Sequence, residues 1–150
     1  MGYTHYWERV GKSPKEWKKL TSDCRKLVER LGIPLANGHG DPGSAPEVSD
    51  LRVCFNGVEE QSHETFCLSI NKLGFQFCKT AYKPYDMAVM CCLVVAKHYF
   101  PSMRVSSDGS ESNWAPAVAR VKEILGYTPK FYLGEDVPVQ PRAIEEDESI

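Results

Sequence analysis

Residues 51–80, LRVCFNGVEEQSHETFCLSINKLGFQFCKT, decide the fold. Leu51, Val53 and Phe55 alternate with Arg52, Cys54 and Asn56. Phe66, Leu68 and Ile70 alternate with Thr65, Cys67 and Ser69, and Phe75 and Phe77 with Gln76, Cys78 and Thr80. A period of two sends neighbouring side chains to opposite faces of a strand. The expected result is an antiparallel meander, joined through short turns at 57–62 and 71–74. Its large apolar face looks toward helices, and its other face carries small and polar groups with one cysteine in the middle of each strand.

Helices flank this block. Ser13, Pro14 and Glu16 announce a start, with an N-cap, a proline at the first helical position and a capping-box glutamate. Trp17, Leu20, Cys24, Leu27, Val28 and Leu31 then recur at helical spacing until Gly32 and Pro34. Lys15, Lys18, Lys19, Arg25 and Lys26 fall on the solvated remainder. Pro84 opens a second helix whose residues 87–96 carry no charge, a run about half as long as a membrane span needs. Met103 and Val105 suggest a short strand, followed by the polar loop 106–110. A third helix carries Trp114, Ala117, Val118, Val121, Ile124 and Leu125 on one face and ends at Gly126, with Pro116 expected in its first turn. Residues 3–8 read as an aromatic edge strand, and 36–50 as a turn-rich loop holding His39 and Asp41. From Tyr127 an extended, proline-interrupted arm is expected, ending in an acidic disordered tail over 141–150. The fold class is therefore α+β: one domain over 1–140, with a mostly antiparallel sheet of four to five strands and three helices packed on its apolar face.

The chain has 150 residues, 42% of them hydrophobic and 25% charged, with a net charge of −2. Much of the acidity sits in Glu145, Glu146, Asp147 and Glu148, which leaves the body near neutral. Such a body lacks the field of a duplex nucleic-acid binder. Six cysteines occur, none in a CxxC pair, and no secretory signal pattern precedes them. They read as reduced thiols of a cytoplasmic protein. His5, His39, His63 and His98 are scattered without metal-ligand spacing, and no Walker A or GxGxxG pattern points to a cofactor.

Topology then gathers a site. A tight 71–74 hairpin sets Glu64 opposite Ala81 and His63 opposite Tyr82. The preceding hairpin brings Asn56 to the same end. A right-handed strand–helix–strand crossover from Phe75 to Val105 leaves its two strands parallel, so the loop after Val105 exits there too. One rim thus collects Asn56, His63, Glu64, Lys79, Lys83, Asp86, Ser107, Asp108 and the Gly109 backbone, beside two helix N-termini that favour anions. Taken singly, each has an ordinary role: Asp108-Gly109 as a turn, Asp86 in a first helical turn, Lys79 at a strand end. The shared rim is what raises them. The expected partner is a small anionic ligand, nucleotide-like or phosphorylated, held by Lys79, Lys83 and the 107–109 backbone, with Tyr3, His5 or Trp7 stacking on a ring. The alternative is a hydrolytic enzyme with His63 as base or acid and Glu64 or Asp108 orienting it. In that enzyme class Cys78 is a further candidate nucleophile. A third reading is an assembly module, a homo-oligomer formed through an exposed sheet edge.

Four segments carry a resemblance: MGYTHYW at 1–7, HETF at 63–66, FCKTAYKPYD at 77–86 and VSSDG at 105–109. Together they resemble an uncharacterised family of small proteins of bacteriophages and bacteria, with likeness over nearly the whole chain. The resemblance implies a cytoplasmic setting in a bacterial host and supplies no chemistry.

Overall fold

The computed structural model describes residues 3–134 and 137–142. In chain order the elements are β1 (Thr4–Arg9), α1 (Pro14–Arg30), β2 (Glu47–Val48), β3 (Arg52–Phe55), β4 (Phe66–Ser69) and β5 (Gly74–Lys79). Then come α2 (Asp86–Tyr99), β6 (Arg104–Ser107), α3 (Glu111–Leu125), β7 (Tyr132–Leu133) and β8 (Val137–Pro138). The class is α+β as expected, but the sheet is not single. The strands form two three-stranded antiparallel sheets, ordered β5–β1–β6 and β2–β3–β4, with β7–β8 as a small separate hairpin.

The departure from a continuous meander has a physical cause. β1 is the centre of its sheet rather than an edge, and β5 pairs with it along its whole length, from Thr4–Lys79 to Arg9–Gly74. The end of β4 is capped instead by Arg9, whose guanidinium donates to the carbonyls of Ser69 at 2.7 Å and Ile70 at 3.1 Å. Arg9 is 3% exposed and lies over the rings of Trp17 and Phe100, whose faces attract its guanidinium alongside those carbonyls. One backbone bond, Glu64 N–H to Lys79 carbonyl at 3.2 Å, still ties the start of β4 to the end of β5.

This pairing also reverses a face. Residues directly opposite across an antiparallel pair share a side of the sheet. His5 lies opposite Cys78 and Trp7 opposite Gln76, so His5, Trp7 and Cys78 turn inward. Phe75 and Phe77 lie opposite Glu8 and Tyr6 and point outward, 64% and 56% exposed. They are not core residues.

α2 is the buried axis of the molecule. Every residue from Ala88 to Ala96 is at most 2% exposed, and each buried Val, Leu or Met side chain contributes about 1.5–3 kcal/mol. α1 offers Trp17, Leu20, Cys24 and Leu27 to it, and α3 offers Trp114, Ala117, Val118 and Val121. No described helix is long and apolar enough to cross a membrane.

Three local expectations are corrected. Ser13 sits in a left-handed conformation with φ 34° and makes no side-chain cap bond, so α1 starts on Pro14 without its capping box. Pro116 lies beyond the first turn of α3, inside the helix. The bond it cannot make is that to Ser112, whose exposed position lets solvent take the carbonyl. The arm after Tyr127 is not simply extended: Phe131 and Val139 are buried around the β7–β8 hairpin, and Gly134 bridges to Val105. Residues 143–150, most of the expected acidic tail, lie outside the described residues.

Candidate functional site

His5 enters the interior because it stands on the inward side of the central strand. Its register partners are Cys78 of β5 and Ser107 of β6, and its ring is fully buried. The chain leaving β5 turns sharply and begins α2 at Asp86, which places a carboxylate in the first turn beneath that ring. His5 Nε2 lies 2.7 Å from Asp86 Oδ1, and His5 Nδ1 lies 2.8 Å from Ser107 Oγ. Thr80 Oγ1 donates to the same Asp86 oxygen at 2.6 Å. The Gly109 N–H donates to Ser107 Oγ at 2.8 Å.

For a neutral imidazole the donor inventory gives the roles. A carboxylate only accepts, so the imidazole proton sits on Nε2 facing Asp86. Nδ1 of the neutral ring then accepts, and the proton it takes is the hydroxyl proton of Ser107. The result is a hydroxyl, a base and an orienting carboxylate in one hydrogen-bonded line. It follows the logic of a serine-hydrolase triad with the two ring nitrogens exchanged.

Aromatic rings close over this line. Tyr3 meets the His5 ring edge-on at 5.0 Å, and Trp114 meets it from another side at 4.9 Å. A Cβ on Gly109 would stand 2.4 Å from the Tyr3 hydroxyl, so only glycine lets Tyr3 settle there. Burial, with Asp86 next in importance, pushes the Tyr3 phenol well above its usual range, keeping it neutral. Ala81 and Tyr82 both adopt positive φ, 53° and 61°, an uncommon choice for residues with a Cβ. This pair turns the chain so that Tyr82 stacks on Tyr3.

The sheet divides the residues that sequence topology had gathered on one rim. His5, Asp86 and Ser107 meet on the helix side. Lys79 continues the outward series of Phe75 and Phe77. Asp108 also serves the outer side, where Oδ2 accepts the Thr4 N–H at 3.0 Å and Oδ1 the Tyr6 hydroxyl at 3.3 Å. Lys79 and Lys83 make no ion pair among the described residues. Trp7, 2% exposed, packs on Phe66 in the core and is out of reach of any ligand ring.

His63, Glu64 and Asp108 are not brought into one hydrogen-bonded group. The His63 side chain is exposed and has no partner among the described residues. Glu64 Oε1 accepts the Lys79 N–H at 2.8 Å, which makes it a strand cap. Asn56 is 3% exposed and organises loops: Nδ2 donates to the carbonyls of Gly38 and His63, while Oδ1 accepts the N–H groups of Gly57 and His63. Burial pushes the Cys78 thiol up to about 12, so it is protonated and unsuited to nucleophilic attack.

The sequence reading singled out His5 only for stacking on a ring, and its hydrogen bonds to Asp86 and Ser107 escaped because residues 3–8 looked like an edge. Its signal was present in the alternation of Tyr3, His5, Trp7 and Arg9 against Thr4, Tyr6 and Glu8. No family model, curated protein or solved structure matches the chain.

Proposed function

We propose that the protein is a hydrolase in which Ser107 attacks the substrate, His5 takes the hydroxyl proton and later returns it to the leaving group, and Asp86 holds the imidazole. The observation that carries this reading is the placement of the His5 ring, 2.7 Å from a carboxylate through one nitrogen and 2.8 Å from a serine hydroxyl through the other. A histidine fixed at both nitrogens is oriented before substrate arrives, and such a base contributes about 10²–10⁴-fold in rate. This reading takes up the hydrolytic class, the alternative to small-anion binding in the sequence reading, with His5 in place of His63 and Ser107 as the nucleophile.

A panel of chromogenic carboxylic and phosphoric esters tests it. Turnover of one of them is expected, with Ser107→Ala and His5→Gln lowering kcat at least 100-fold in folded protein. Folded protein that turns over no member of the panel, or turnover unchanged in Ser107→Ala, defeats the proposal.

A second reading, reversible binding of a small anionic or nucleotide-like ligand, has its own support in Lys79 and Lys83. Both flank the chain into the α2 N-terminus with no carboxylate paired to them among the described residues. Against it stand three carboxylates nearby, those of Glu64, Asp86 and Asp108. A thermal-shift screen of nucleotides separates the readings: stabilisation lost in both Lys79→Ala and Lys83→Ala, with no product formed, favours binding alone.

A further inference from the structure

Away from this site, the outward face of the second sheet holds two thiols side by side. Cys54 of β3 and Cys67 of β4 are direct register partners. The Ile70 N–H donates to the Leu51 carbonyl at 3.0 Å, which makes Leu51–Ile70 a hydrogen-bonded pair. Pairs alternate along an antiparallel ladder, so Cys54–Cys67, three positions on, is a non-hydrogen-bonded pair. At such positions the Cα atoms come to about 4.5 Å and the side chains lean together, within the span of about 4.4–6.8 Å that a disulfide bridges. Both residues are half-buried, because Val53, Phe55, Phe66 and Leu68 fill the inward side. Cys24, Cys78, Cys91 and Cys92 are all fully buried. Accessibility therefore singles out one pair among the six thiols.

We propose that Cys54 and Cys67 form a peroxide-responsive dithiol that closes to a reversible disulfide between β3 and β4. The surroundings favour the first step. The Cys54 thiol donates to Cys67, the largest influence on it, and Arg52, 3.6 Å from Glu47, adds positive charge; these outweigh burial and the Glu47 carboxylate, lower Cys67 to about 7 and leave Cys54 as the protonated partner. The Cys67 thiolate attacks one peroxide oxygen, the O–O bond breaks, and hydroxide leaves and takes a proton from solvent as water. The sulfenic acid on Cys67 is then attacked by Cys54 sulfur. The S–S bond forms and a second water departs with the Cys54 proton. Two thiols and one peroxide become one disulfide and two waters, and an external dithiol reverses the change.

The experiment treats the full chain with hydrogen peroxide at neutral pH, followed by denaturing thiol titration and peptide mapping. The expected result is loss of two of the six thiols, a mass lower by two hydrogens, a single cross-linked peptide joining Cys54 to Cys67, and recovery of both thiols with dithiothreitol. Cys54→Ser should instead leave Cys67 as a sulfenic acid that dimedone traps. A disulfide that includes any of the four buried cysteines, sulfinic acid on Cys67 of the wild type, or an unchanged thiol count overturns the proposal. The wild-type map decides this without relying on how any variant folds.

Discussion

Tyr82 lies flat against Tyr3, with ring centroids 3.9 Å apart and planes 18° from parallel. Tyr3 is 3% exposed and Tyr82 65%, so one ring is cover for the other. Tyr82→Ala should lower stability by about 1 kcal/mol, the value of a stacked aromatic pair, while Tyr82→Phe should stay within about 0.5 kcal/mol of wild type. Urea denaturation measures both.

The turn that presents Tyr82 is held at a cost. Ala81 has φ 53° with a Cβ in place. Ala81→Gly removes that steric penalty and should raise stability by up to about 1 kcal/mol, after the greater freedom of glycine in the unfolded chain is offset. A lower urea midpoint in this variant would show that the strain is absent.

Asn56 satisfies all four of its side-chain hydrogen-bonding positions while almost wholly buried. Asn56→Ala strands two carbonyls and two N–H groups, and should cost about 3–5 kcal/mol. Asn56→Asp keeps the two acceptor contacts but turns a carboxylate toward the carbonyls of Gly38 and His63, so it should recover little of that loss. Thermal unfolding of the pair distinguishes a bonding role from a packing one.

The reversed face of β5 gives a sharp contrast. Phe77→Gln should change stability by less than about 0.5 kcal/mol, because its ring already meets solvent, whereas Trp7→Ala should cost about 3–5 kcal/mol. Comparable losses in the two variants would mean that Phe77 is buried after all.

Those two residues also show how far sequence carried. The helices were legible because their apolar spacing is enforced by a buried partner on one side, and Leu20, Leu27, Val118 and Val121 all face inward as their periodicity requires. The strands were legible as strands, since alternation belongs to the strand itself. Pairing was not, because alternation is the same whichever neighbour a strand finds. Phe75 and Phe77 could face core or water until β1 was known to sit beside them. The site was read in the same way. Asp86 and Ser107 were placed at one end of the sheet by their helix and strand junctions, but the pairing of His5 with them was not, because alternation within β1 does not say which strands flank it.

The far end of α2 sets the pH range. His98 is lowered chiefly by burial; its Nδ1 accepts the Lys130 N–H at 3.1 Å, and its ring stacks on Tyr127. Tyr99 is pushed up to about 12 and Tyr127 further, in both cases first by burial and then by their hydrogen bonds to Asp23 Oδ2, at 2.6 and 2.7 Å. A histidine depressed in the folded state stabilises above its unfolded value of 6.5, and that contribution fades as pH falls below it. A tyrosine raised in the folded state stabilises below its unfolded value of 10.0, and that contribution fades as pH climbs toward the folded one. Stability should therefore decline as pH falls below about 6.5 and again on the alkaline side, where the raised Cys78 thiol adds to the two tyrosines, with Tyr127→Phe weakening only the alkaline limb. Chemical denaturation across the range reads this directly.

The central place of β1 has a kinetic consequence. The bond between His5 and Ser107 joins residues 102 positions apart, and no shorter detour along the chain can assemble that sheet. The β3–β4 hairpin and α2 rest on near neighbours and can organise early, whereas the slot between β5 and β6 waits for a distant segment to arrive. Refolding should consequently finish with the insertion of the opening strand, and the proposed chemistry should be the last property of the native state to return.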